Sequence, residues 1–128
     1  MGHGRFAVVG YGYVINKVDL INHFYPGVIT ENSSREQIYG ILHILEEWFR
    51  TELHLELHVE RQDDEAQNVF ITLPEPKSIV VDVGGGSPFE IGTNLLPTPL
   101  EVNHIQEVLG SLTAGKRCKL FLYAYEGA

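Results

Sequence analysis

Two stretches hold residues whose types and spacing point to chemistry. The first is IVVDVGGGSPFEIG, residues 79–92. Asp82 comes just before Gly84, Gly85, Gly86 and Ser87. Three glycines let backbone amides come close to a phosphate, and an aspartate beside them can hold a divalent ion or a water. A glycine-rich hairpin without a ligand explains the same letters. Phosphate or nucleotide binding, with hydrolysis as an extension, is therefore the alternative reading. The second stretch is LHLELHVE, residues 53–60. On a strand, alternate side chains share a face at about 6.5–7 Å. His54 with Glu56, or Glu56 with His58, is spaced to share a divalent ion. His54 and His58 would lie roughly 13 Å apart, too far for one ion. A solvated outer face that protects an edge strand fits the pattern without any metal. No cofactor is required by the sequence.

The elements that must position these residues are legible in order. Residues 5–15 read as a strand with apolar residues on both faces, an interior strand by that pattern. Its Gly10 and Gly12 mark a bulge or a close approach of another backbone. Residues 17–24 read as a short helix that Tyr25, Pro26 and Gly27 end. Residues 33–53 form the best-defined helix, with Ser33 and Glu36 as a capping box. Residues 53–60 and the alternating Val69, Ile71 and Leu73 make a hairpin around a charged turn at 61–67. Residues 78–83 add a strand, and 88–91 a further short one. Thr98, Pro99 and Glu101 open a helix over 99–112, with Gly115 as its cap. Residues 117–125 are the last strand. The expectation is one α+β domain over 1–128: an antiparallel sheet with two main helices on one face, in ferredoxin-like βαββαβ order, plus an extra strand or hairpin near 78–91.

Two resemblances accompany these residues. The string from Ile79 to Gly92 is similar to the phosphate loop of the exopolyphosphatase branch of the actin-like phosphotransferases. That resemblance implies Asp82 as the metal-side carboxylate and Gly84, Gly85, Gly86 and Ser87 as the cradle. The opening GYGYVI at 10–15, followed by a short helix and Tyr25-Pro26, resembles small uncharacterised bacteriophage-encoded proteins of unknown function. It implies a phage origin and a host bacterial cytoplasm, with a virion or assembly component as a third reading.

Composition narrows the function classes. With 128 residues, 44% of them hydrophobic, the chain can close one core. A net charge of −8 with nine scattered Lys and Arg excludes nucleic acid and anionic membranes as expected partners. The single Cys118 cannot form an internal disulfide and reads as a buried small hydrophobe in a reducing, cytoplasmic setting. Arg5 and the apolar residues after it are strand sequence rather than a leader.

The helix at 33–53 has more apolar surface than a sheet requires. Its apolar residues fill an arc of about 220°, against the roughly 100° that packing on one sheet uses. A second helix of the same chain or a partner subunit must cover the surplus, and Ile41, Ile44, Leu45 and Trp48 are the residues expected at an interface. Phe121, Tyr123 and Tyr125 join them as an aromatic strand face. The leading expectation is a small non-enzymatic binding or regulatory protein that self-associates and occupies a protein or small-ligand site.

Overall fold

The computed structural model describes residues 5–83, 90–91 and 94–126. Its elements run β1 (Arg5–Asn16), α1 (Lys17–Phe24), α2 (Arg35–Trp48), a π-helical turn (Phe49–Leu53), β2 (Glu56–His58), β3 (Asn68–Thr72), β4 (Ser78–Asp82), α3 (Pro99–Leu109), a 3-10 turn (Gly110–Thr113) and β5 (Lys119–Glu126). The chain is α+β, with an antiparallel five-stranded sheet and helices packed on it.

Each helix starts where a side chain can satisfy its free amides. Asn16 accepts from the N–H groups of Val18 and Asp19. Ser34 Oγ accepts from Gln37 N at 3.2 Å, and Gln37 Oε1 accepts from Ser34 N at 2.8 Å. The capping box is thus one residue later than the expected Ser33–Glu36 pair. Ser33 is used earlier, its Oγ accepting from Thr30 N in the preceding loop. Thr98 and Glu101 form the expected reciprocal box at α3. That helix gives way at Gly110, where φ is +53°, rather than at Gly115.

β1 organises the sheet. It pairs with β3 through residues 12–16, with β4 through 6–10 and with β5 through 5–12. Lys17 N donates to Gln67 O and Val83 N donates to Arg5 O, which continues the β3 and β4 registers through odd-numbered residues of β1. By the alternation of an antiparallel ladder, β3 and β4 therefore lie end to end along one edge of β1, and β5 takes the other. Between them, Tyr11 alone faces residues 73–77. Ser78 Oγ closes the neck of that excursion by donating to Leu73 O at 2.8 Å.

The sheet is strongly curled but not closed. Tyr123 pairs with Val8, and Phe70 pairs with Val14, six residues farther along β1. Along a flat strand that is roughly 20 Å. Yet the Tyr123 and Phe70 rings lie 5.8 Å apart, and Phe121 is 5.5 Å from Phe70. β5 is folded back over β3. The two glycines expected to mark a bulge or a close backbone approach sit at this bend. A Cβ on Gly12 would stand 1.9 Å from Ile71 O, and one on Gly10 would stand 3.1 Å from Ser78 Cβ.

The outer face of the sheet carries the main core. Tyr13, Ile15, Leu57, Val69 and Ile71 meet Leu20 and Ile21 of α1, Leu42 and Leu45 of α2, Phe49, and Ile105 and Leu109 of α3. The βαββαβ order is not confirmed. Two helices rather than one separate β1 from β2, and β1 lies antiparallel to β3. The extra strand expected near 78–91 is β4; residues 84–89 lie outside the described residues.

Gly12→Ala should cost about 3 kcal/mol or more, because backbone rather than a movable side chain occupies the site. Gly40→Ala, exposed on α2 with open space around it, should gain about 0.5–1 kcal/mol. Urea titration of both variants checks the pair.

Candidate functional site

The outer flank of α2 is the best-formed candidate surface. Ile41, Ile44 and Trp48 follow at helical spacing on one side of the helix. Ile44 is 55% exposed and Trp48 37%. Across from them the loop after α1 presents Val28, 56% exposed. Val28, Gly40, Ile41 and Ile44, with Ser33, Glu36 and Gln37 at the polar side, line an open, mostly apolar groove of about 300 Å³. Trp48, one turn farther along α2, is held by edge contacts with Phe24 and Phe49, at 5.3 and 5.8 Å between ring centres. The indole is therefore fixed by its own chain on one side and open on the other.

Leu45 does not belong to this surface. It is wholly buried in the main core, because it lies on the α2 side that faces the sheet. The aromatic residues of β5 are also placed differently from the expected outward face. Phe121, Tyr123 and Tyr125 lie inside the curl: Phe121 and Tyr123 pack on Phe70, and Tyr125 stacks on Phe6 at 5.6 Å. The Tyr123 hydroxyl accepts from Glu60 N at 3.1 Å and donates to Asn68 O at 2.9 Å. Burial pushes its pKa up to about 12, so it stays a donor. The opposite face of β5 is the open one, with Leu120 53% and Leu122 65% exposed. Sequence reasoning missed it because both faces of β5 are apolar. Only the curl decides which face is covered.

The residues spaced for a metal are not assembled on one strand face. His54 sits at the end of the π-helical turn with φ of 54°, and the strand begins only at Glu56. Glu56 and His58 do share a face, opposite Thr72 and Phe70. His58 is packed against the Phe70 ring, with its Nε2 3.0 Å from Thr72 Oγ1. Among the described residues no group of three His, Cys, Asp or Glu could hold a metal ion. Asp82 ends β4, opposite Phe6. Gly84, Gly85, Gly86 and Ser87 lie outside the described residues, so the proposed phosphate cradle does too. Cys118 is half-buried against the core, and burial pushes its thiol pKa up, away from a nucleophilic thiolate.

Among the described residues no helix is long and apolar enough to cross a membrane. Comparisons with protein-family models, with curated proteins and with solved structures find no match.

The half-buried imidazole of His58 makes a pH prediction. Burial lowers the His58 pKa from its ordinary 6.5 to about 4. The folded protein therefore keeps the ring neutral while the unfolded chain takes up a proton below 6.5. The unfolded state binds more protons in that window, so stability is full above pH 6.5 and falls as pH drops towards 4. The total loss is about 3 kcal/mol. His58→Gln should remove that part of the slope, as measured by urea unfolding at about pH 7 and about pH 5.

Proposed function

We propose that this chain is a non-catalytic binding protein that self-associates through the outer flank of α2. The observation that carries this reading is the open, mostly apolar groove bordered by the exposed Val28 and Ile44, with the exposed Trp48 one turn farther along α2. Isolated exposed apolar residues are ordinary, but a contiguous apolar groove marks a contact surface. A second copy is the simplest occupant. A two-fold axis near Ile44 would set the same helix flank against itself, as cyclic dimers do. Trp48, already fixed by Phe24 and Phe49, would give up little side-chain entropy on contact, which suits an anchor residue.

The chemistry of the described residues supports a binding role over a catalytic one. The neutral His58 is bonded to a threonine hydroxyl, Tyr123 is spent on two backbone groups, and the Cys118 thiol is held protonated. The phosphate-loop reading keeps its place as the alternative, resting on residues 82–87 alone.

Ile44→Glu should give a folded protein of smaller mass in light scattering at tens of micromolar. Ile44 is exposed, so its stability should change by less than about 0.5 kcal/mol. An unchanged mass would remove the interface. Trp48→Ala should weaken association and also lower stability, by up to about 3 kcal/mol, because one side of the ring packs within the chain.

A further inference from the structure

The chain carries nine Lys and Arg against 17 Asp and Glu, so carboxylates outnumber cations almost two to one. Five cations pair with carboxylates: Arg5 with Glu126, Arg35 with Asp64, Arg50 with Glu47, Arg61 with Glu46 and Lys77 with Glu101. A sixth, Lys17, is buried and donates to the Tyr39 hydroxyl. The remaining three are Lys116, Arg117 and Lys119. Among the described residues none of them meets a carboxylate. All three line one cavity of about 300 Å³, whose lining contains no acidic residue.

Local structure holds these charges together. Thr113 O accepts from Lys116 N at 2.9 Å, and Gly115 takes φ of +75°. This tight turn, whose third position needs a glycine, delivers Lys116 and Arg117 directly to the start of β5. Lys116 then reaches back, its Nζ donating to Val14 O at 3.2 Å. Val14 lies two residues past the Gly12–Lys119 end of the β1–β5 ladder, so its carbonyl has no strand partner on that edge. One ammonium is thereby anchored at the cavity wall. Val14 and Phe121 supply an apolar side to the same cavity.

We infer that this cavity binds a small phosphate monoester carried on an apolar or aromatic body. Three cations suit a dianion better than a single carboxylate. The arginine fork matches phosphate oxygens two at a time. A volume of about 300 Å³ exceeds what inorganic phosphate fills and sits at the small end of ligand pockets. Phe121 and Val14 receive the body. The surrounding chain is acidic, so attraction is local and fades with added salt over a Debye length of about 8 Å. The site is separate from the α2 flank, and its failure would leave the self-association reading standing.

Phenyl phosphate titrated into ¹⁵N-labelled protein tests this. The amide signals of Gly115, Lys116 and Lys119 should shift together and saturate. Inorganic phosphate should bind at least about tenfold more weakly, and neutral benzyl alcohol should not bind the site. The double variant Arg117→Glu, Lys119→Glu should lose the shifts, and the milder Arg117→Gln, Lys119→Gln should weaken them at least about tenfold. Arg50→Glu, which removes a cation elsewhere, should bind as the parent does. Shifts that survive the Glu double variant, or parent-like affinity in the Gln double variant, would overturn the proposal. So would benzyl alcohol binding as well as phenyl phosphate, or no shift at any soluble phenyl phosphate concentration.

Discussion

Strand β1 is bonded on both edges over most of its length, to β3 and β4 on one side and to β5 on the other. Its path must also bend enough to bring β5 over β3. That bend is possible only where the backbone of β3 can come closer than any side chain allows, at Gly12. The helices then cover one face of a sheet whose shape β1 has set. α1 follows from it without a gap, started by Asn16, the last residue of the strand.

The bend sorts the apolar residues into two groups. Large aromatic rings fill the inside of the curl, where Phe70 is the common neighbour of His58, Phe121 and Tyr123. Aliphatic side chains predominate between sheet and helices, packed around Tyr13, Tyr39 and Phe49. The division is physical. The concave side needs few, wide side chains to close the distance between β5 and β3. The helical side needs many branched ones that interdigitate at close packing. Polar groups caught inside are bonded there, and none is left unsatisfied among the described buried side chains.

Much of this could be read in the sequence where local signals suffice. Helix starts to within a residue, most strand positions and the special role of Gly12 depend on neighbours a few residues away, and they were legible. The sidedness of β5 was not. Its alternation is apolar on both faces, so only the distant β3 decides that Phe121 and Tyr123 turn inward. The metal spacing at His54, Glu56 and His58 failed for a related reason. The periodicity is that of a strand throughout 53–60, but the preceding helix runs on to Leu53 and places His54 in a left-handed turn. The exposure of the α2 flank was legible because an oversized apolar arc must leave some of its side chains outside the core. Leu45 was misplaced because the width of the arc does not say where the sheet cuts it.

The pairing of β1 with β5 joins residue 5 to residue 126. These strands lie at opposite ends of the described chain. A ribosome makes β1 first and β5 roughly ten seconds later at ordinary elongation rates. Through that interval one edge of a strongly apolar strand has no partner, and such an edge is a template for other chains. The acidic surface, with its net charge of −8, then has a task before folding is finished: nascent chains of like charge repel one another while β1 waits. Closure of the β1–β5 ladder is the most non-local step in the fold, which makes it the natural slow step of folding.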